Sequence, residues 1–470
     1  MTKSNDVHEP SIDWRGKNAY YHEQVERFLT FHASSSDAVL VLGCGKGEIF
    51  DRVPVNAGVG IDVDAGRIGE AVRRTPNQDN LRFHHVSDYA TLPSLGRTFD
   101  IVILYDVVAE AGDIEAIMAS LRRWMSPRTR LVVNFHSHLW MPILRAAEIL
   151  GLKRPIENPS WVTIEDMMNF ATLTDFEIVF HTRMLLLPKR LAGLGSLINR
   201  FFAPLPFFSL LCLENVIVLR PLGLQPGLHN PSVSVVIPAR NEAGNIENAV
   251  NRIPSMGKRT EIIFVEGHST DETWNEILRV QAEHPEMGIK ALRQPGRGKS
   301  DAVRYGFNEA EGDILMILDA DLTVSPEALP KFHQAIVQNK GEFINGCRLV
   351  YPLERGSMQF LNMVANKCFG WLFTWLIGQR YRDTLCGTKV FWTTDYRRIS
   401  AGRSFFGDSD PFGDFDLIFG AAKLGLKTVE IPIRYRERVY GRTNISRFLH
   451  GLLLLRMSLV AAWKLKFGRY

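Results

Sequence analysis

Short runs of aliphatic and β-branched residues recur along the chain, separated by longer stretches in which apolar positions repeat every three to four residues. In the first half the runs are AVLVL (38–42), GVGID (58–62), FDIVIL (99–104), RLVVNF (130–135) and NVIVL (215–219). In the second half they are SVSVVIP (232–238), EIIFVE (261–266) and DILMIL (313–318). Such runs predict strands buried on both faces, and the helical periodicity between them predicts the helices that cover those faces. The expected fold class is α/β, built on parallel sheets.

The segment RPLGLQPGLHNPS (220–232) carries Pro221, Pro226, Pro231, Gly223 and Gly227 between the two sets of runs. Proline and glycine at this density interrupt strand and helix alike. Two tandem α/β domains are therefore expected, at 1–222 and 232–446, with a linker at 223–231 and a C-terminal segment at 447–470. A chain of 470 residues agrees, because a single core seldom grows past about 250–300 residues. The composition, 46% hydrophobic and 23% charged, is that of a globular protein, and a formal charge of +4 gives no reason to expect nucleic acid. Cys44, Cys212, Cys347, Cys368 and Cys386 are odd in number and lack metal or redox spacing. With a polar N-terminus, MTKSNDVHEP, they point to a reducing, cytoplasmic setting.

In the first half, AVLVLGCGKG (38–47) reads as a strand entering a glycine turn. Without side chains at Gly43, Gly45 and Gly47, the backbone can approach a nucleoside ligand at the carboxyl edge of a sheet. The spacing does not complete G-x-G-x-x-G, since Glu48 or Phe50 falls at its last position, so a dinucleotide is disfavoured. The next strand ends at Asp62, where a carboxylate can accept ribose hydroxyls. These residues, with VSDYATLP and FDIVILYDVV, resemble the class I methyltransferases over about residues 18–220. The resemblance implies a Rossmann-like domain binding S-adenosyl-L-methionine, with Gly43, Gly45 and Gly47 beside the methionine portion, Asp62 on the ribose and Asp88 on the adenine. Tyr105 and Asp106 end the following strand, and His136 and His138 sit near the expected mouth as candidate bases. The apolar stretch 185–213 reads as an inserted helical flap, expected to pack rather than to shape a pocket.

In the second half, EGDILMILDADL (311–322) runs a strand directly into Asp319 and Asp321. On an extended chain residues i and i+2 point the same way, so both carboxylates would face one hard divalent cation, Mg2+ or Mn2+, shared with diphosphate oxygens. Such an ion would neutralise a departing nucleoside diphosphate. With VSVVIPARNE and EIIFVEGHSTDET, this pattern resembles the family 2 glycosyltransferases of the GT-A fold, and within them the polyprenyl-phosphate sugar synthases, over about 232–446. The resemblance implies inverting transfer from a nucleoside-diphosphate sugar. Pro238, Arg240, Glu242, Glu266 and Asp319 would hold the donor, and Asp319 and Asp321 the metal, with Thr323 a further candidate. Arg348 in INGCRL and Arg438 in RYRERVYGRTNIS would clamp phosphate. RDTLCGTKVF supplies Asp383 and Gly387, and GDFD supplies Asp414 and Asp416; Asp383 or Asp416 would serve as general base for a hydroxyl acceptor. A polyprenyl phosphate acceptor is already anionic and needs none. Two positions depart from the family pattern: Gly267 follows Glu266 where a second acid is usual, and Asn444 stands where lysine is usual.

The stretches 353–378, with Phe360, Phe369, Trp371, Phe373 and Trp375, and 447–470, ending in Lys464, Lys466, Arg469 and Tyr470, are too interrupted to span a bilayer. Aromatic and basic edges suit them to lie on a membrane surface. The expectation is a bifunctional, peripheral enzyme on the inner face of a membrane. Its rival is a glycosyltransferase acting on a glycan hydroxyl, with the first domain a non-catalytic scaffold.

Overall fold

The computed structural model describes residues 13–34, 37–224, 229–352, 360–406, 413–438, 440 and 447–468, without the side chains of 360–362 and 447–450. Parts of the expected linker (225–228), of the aromatic stretch (353–359) and of RVYGRTNIS (Val439 and Gly441–Ser446), with Arg469 and Tyr470, lie outside them. The chain divides into two compact units, Met1–Leu222 with Phe467–Tyr470, and Gly223–Lys466.

The first unit holds a seven-stranded sheet formed by β1 (Ala38–Leu42), β2 (Ala57–Asp62), β3 (Leu81–His85), β4 (Phe99–Leu104), β5 (Met125–His136), β6 (Phe176–Met184) and β7 (Glu214–Pro221), in the order β3-β2-β1-β4-β5-β7-β6. Val39, Leu40, Val41 and Leu42 are fully buried, as a central strand covered on both faces requires. The sheet is not wholly parallel, contrary to expectation: β7 pairs antiparallel with both β5 and β6. The 185–213 insertion, with the 3-10 turn Leu191–Gly193 and the short helices Leu194–Phe201 and Pro206–Ser209, connects β6 to β7, which returns antiparallel beside it.

The second unit repeats the plan with β8 (Val233–Ala239), β9 (Thr260–Glu266), β10 (Ile289–Arg293), β11 (Ile314–Ile317), β12 (Phe343–Cys347), β13 (Lys389–Trp392) and β14 (Thr428–Pro432), in the order β10-β9-β8-β11-β13-β12-β14. Here too one strand is reversed, β13 running antiparallel to β11 and β12. Helices form at Phe360–Ile377 and Arg447–Ala462. In the latter Leu454, Met457 and Ala461 are buried while Leu452, Leu455 and Leu459 are exposed, so one face packs and the other is bare. No helix among the described residues is long and apolar enough to cross a membrane.

Candidate functional site

Each unit gathers its chemistry at the carboxyl ends of its parallel strands. In the first, β1 opens into a turn whose Gly43, Gly45 and Gly47 all have positive φ, +80°, +58° and +78°. A Cβ on Gly43 would lie 2.3 Å from the Tyr105 carbonyl oxygen, and one on Gly47 would lie 2.9 Å from the Phe83 ring. Only glycine fits this path. Asp62 closes the turn from beside it: one carboxylate oxygen accepts from Gly45 N (2.8 Å) and the other from Asp64 N (3.0 Å), with the side chain almost wholly buried. The carboxylate thus holds the glycine loop in place, a task the sequence reading had not assigned to it. Asp88 lies exposed past β3, and its carboxylate accepts from Ala90 N at 3.1 Å.

The next two strand ends carry a buried polar network. Asp106, held at φ 55°, accepts from Tyr21 Oη (2.6 Å) and Asn134 Nδ2 (2.6 Å), and Asn134 also donates to Glu214 Oε1 (2.8 Å). Glu214 in turn meets His136 Nδ1 at 2.8 Å. Burial works against charge on His136, but Glu214 outweighs it and raises the imidazole above its ordinary value. His22, against Tyr105 Oη at 2.8 Å, is pushed down to about 4 by burial. Phe135, His136, Lys153, Ile156, Pro159 and Trp161 line a small recess of about 20 Å3, room for one water-sized group. His138 packs edge-on to Trp161, 6.3 Å between ring centres.

In the second unit, β8 and β9 end in loops tied to one another. Asn241, at φ 56°, receives Thr270 N on its side-chain oxygen (2.8 Å) and donates its own N–H to Ser269 Oγ (3.0 Å). Glu266 accepts from Ser269 N within the second loop, and Arg240 is exposed just past Pro238. β11 stops at Ile317, and Asp319 and Asp321 stand in the turn beyond it, where Leu322 N bonds back to Asp319 O at 3.1 Å. The extended-strand geometry expected for the two carboxylates is therefore absent, and each faces its own cation.

Asp319 Oδ1 lies 2.6 Å from Lys299 Nζ. Burial opposes charge on both groups, and their attraction prevails, lowering the carboxyl and raising the amine. Asp321 Oδ2 lies 2.6 Å from Arg438 Nη2, while Arg438 Nη1 reaches Glu242 Oε1 at 3.2 Å. The fold thus joins Glu242, Asp321 and Arg438, which are far apart in sequence. Burial lifts Glu242 to about 7 against the pull of Asn245 and Arg438. Thr323 Oγ1 donates to Asp321 Oδ1 at 2.8 Å, so its hydroxyl is engaged with the carboxylate.

Three sequence expectations change here. Arg348, expected to clamp phosphate, forms a two-pronged pair with Asp383, Nε to Oδ2 at 2.7 Å and Nη2 to Oδ1 at 2.8 Å. Asp383, expected as a base, is fully buried and also accepts from Arg348 N (2.9 Å), Asn366 Nδ2 (2.6 Å) and Leu385 N (3.2 Å). Burial raises its pKa, but Arg348 and Asn366 outweigh this and hold it at about 2, unsuited to taking a proton near neutrality. Asp416, the other expected base, is buried between Arg403 Nε (2.8 Å) and Arg304 Nη2 (3.2 Å). Its first-turn neighbour Asp414 binds the fully buried Lys389 at 2.6 Å. Gly387 stands against the Asp319–Lys299 pair: a Cβ there would lie 2.1 Å from Asp319 Oδ2 and 2.6 Å from Lys299 Nζ.

Lys299, Lys389 and Asn241 were not singled out from the sequence. The Gly-Arg-Gly-Lys run at 296–299 was the available signal for Lys299, since a glycine turn entering a helix often places a cation near a phosphate. Nothing local marked Lys389, which lies within a strand.

Residues 234–400 match the sequence model described as Glycosyl transferase family 2, and residues 39–128 match that described as Methyltransferase domain. A dolichol-phosphate mannosyltransferase of Pyrococcus furiosus is 38% identical over 120 residues, 25% of this chain and 33% of that protein. An undecaprenyl-phosphate 4-deoxy-4-formamido-L-arabinose transferase of Edwardsiella ictaluri is 28% identical over 229 residues, 47% of this chain and 64% of that protein. The chain therefore spans less than two thirds of either relative. Among solved structures, a SAM-dependent methyltransferase of Thermotoga maritima aligns with 44% of this chain and 92% of its own at 13% identity and a TM-score of 0.33. The chain carries a methyltransferase domain followed by a family 2 glycosyltransferase domain related to polyprenyl-phosphate sugar transferases.

Proposed function

We propose that residues 232–446 transfer a sugar, with inversion, from a nucleoside-diphosphate sugar to a polyprenyl phosphate, and that residues 1–222 transfer methyl groups from S-adenosyl-L-methionine. Residues 223–231 would join the two, and 447–470 would form a basic, amphipathic segment. The observation that carries the choice of acceptor is the pairing of Asp383 with Arg348 and of Asp416 with Arg304 and Arg403. Both expected bases are held as buried, charge-compensated anions, which suits an acceptor that arrives already ionised.

A divalent ion fits the residues present. Asp319 and Asp321 supply two carboxylates, a number Mg2+ or Mn2+ commonly takes from protein when substrate phosphates complete the shell. No three His, Cys, Asp or Glu converge on a metal position among the described residues, so the remaining ligands would come from donor and water. The ion would supply Lewis-acid stabilisation of the leaving diphosphate. Lys299 and Arg438 now neutralise these carboxylates and would be freed to meet donor phosphates once the acids bind metal. Pro238, Arg240, Glu242 and Glu266 border the same strand ends and would receive the nucleotide.

In the first unit the glycine turn fits a nucleoside methyl donor, because a Cβ at Gly43 or Gly47 would fill or distort the cradle. Gly43, Gly45 and Gly47 would lie against the methionine portion, Asp62 would hold the loop beside the ribose, and the exposed Asp88 would meet the adenine.

The exposed apolar residues Trp371, Leu452, Leu459 and Trp463 on the helices of the second unit support contact with a cytoplasmic membrane face, where a lipid-linked acceptor would be found. The test is transfer to a short polyprenyl phosphate from a panel of UDP- and GDP-sugars with Mn2+ or Mg2+. Metal-dependent lipid product, lost in Asp321→Ala, is expected. Donor turnover with product only on a glycan hydroxyl would replace the acceptor, and no turnover of any donor would remove the reading.

A further inference from the structure

The recess at the end of β5 has features that loop packing does not explain. β1, β4 and β5 are neighbours in the sheet, so at about 4.8 Å per strand the end of β5 stands roughly 10 Å from the glycine turn along the same edge. Among the residues lining the recess, Trp161 has an indole Nε1 that is buried with no hydrogen-bond partner. An unsatisfied buried donor in such a wall is a place for a ligand oxygen. Phe135, Ile156 and Pro159 make much of the rest of the lining apolar.

His136 is in the same lining, and its Nδ1 is 2.8 Å from the fully buried Glu214. A carboxylate at Nδ1 places a proton there and leaves Nε2 with a lone pair. Glu214 is itself fixed, its second oxygen accepting from Asn134, which also bonds Asp106. The charged and titratable groups around the imidazole are Glu214 on β7, Asp106 past β4, Lys153, which is paired with Glu148 at 2.6 Å, and Tyr21 and His22 from helix Ala19–His32, the Tyr21 ring standing edge-on at 5.6 Å.

We propose that this recess marks the methyl-acceptor site, that it receives the hydroxyl of a phenolic or saccharide compound whose ring stays outside it, and that His136 is the base that removes the hydroxyl proton. The inference rests on the methyltransferase reading of the first unit. In the step the acceptor oxygen forms a bond to the methyl carbon as the carbon–sulfur bond of the sulfonium donor breaks. The bonding pair stays on sulfur, leaving a neutral thioether, and the hydroxyl proton passes to His136 Nε2. Glu214 is a positioning residue, holding the tautomer and raising the basicity of the ring. The Trp161 indole donates to the acceptor's hydroxyl oxygen.

The experiment uses the full chain, with 4-nitrophenol and methyl α-glucoside as acceptor probes. S-adenosylhomocysteine binding is measured by calorimetry, probe binding in its presence, and methyl transfer from S-adenosyl-L-methionine across pH. Wild type is expected to bind at least one probe, the two arms separating phenol from saccharide. His136→Gln should keep S-adenosylhomocysteine affinity within about twofold while transfer falls by about 10²-fold or more. The wild-type rate should rise with pH as His136 loses its proton, and Glu214→Gln should move that rise to lower pH. Trp161→Phe should weaken probe binding. An unchanged rate in His136→Gln, a pH profile that Glu214→Gln leaves in place, or failure of both probes to bind would overturn the proposal. Failure of wild type to bind S-adenosylhomocysteine would remove the methyltransferase reading itself, and the proposal with it.

Discussion

Replacing Asp383 by Asn separates two roles for one buried carboxylate. As a general base it would be dispensable for folding and required for transfer; as the partner of Arg348 it would be required for folding. The side chain is fully buried and accepts from Arg348 Nε, Nη2 and N, from Asn366 and from Leu385 N. Asparagine keeps the shape but turns an amide donor toward one of these donors and leaves the guanidinium uncompensated. Removing one member of a buried ion pair costs about 3–5 kcal/mol. For a domain of this size that lowers the melting temperature by about 6–20 °C. The pH dependence gives a second measure. Holding the carboxyl at about 2 rather than 3.8 contributes about 2.5 kcal/mol. Because the folded value is depressed, that contribution is complete above pH 3.8 and is lost as pH falls toward 2. Calorimetric melting of wild type and Asp383→Asn at pH 7, and across pH 2 to 5, reads both effects. A variant that melts within 2 °C of wild type yet transfers no sugar would refute the structural role and restore the base.

Further outcomes follow from the other contacts. Arg438→Gln removes the cation between Asp321 and Glu242, and we expect glycosyl transfer to fall roughly 10²-fold with little change in melting temperature, read as kcat and KM for the donor. Glu242, raised to about 7 by burial, favours folding most when protonated, so its contribution is present below about 4.5 and is lost as pH rises toward 7. Glu242→Gln should flatten stability across that range, and urea midpoints at pH 5 and 8 that differ as much as in wild type would count against the assignment. Gly387→Ala places a methyl group against Asp319 and Lys299, and transfer should drop by about tenfold or more while circular dichroism is unchanged.

How much of this was legible without coordinates depended on the range of the signal. The strands at 38–42, 58–62, 99–104 and 233–239 could be read because a run of aliphatic residues is a local property that burial on two faces demands. The glycines at 43, 45 and 47 were legible for a similar reason, since a positive φ is a local constraint that glycine meets without strain. The same holds for the D-x-D itself, though not for its geometry, because β11 ends two residues before Asp319.

What only the tertiary structure decided was partnership. Arg348 and Asp383, 35 residues apart, read from the sequence as a phosphate clamp and a base, and folding pairs them with each other. Arg438 and Glu242 are 196 residues apart and meet because β8 and the segment after β14 reach the same sheet edge. Lys389 gave no sign at all, since a lysine in a strand is ordinarily solvated, and here the first turn of the helix Asp414–Lys423 supplies the acid that lets it be buried. Hydrophobic period and backbone conformation are written residue by residue, so the chain by itself determined its α/β elements and its glycine turn. Charge is compensated across space, and which acid meets which base depended on the order in which the strands were laid side by side.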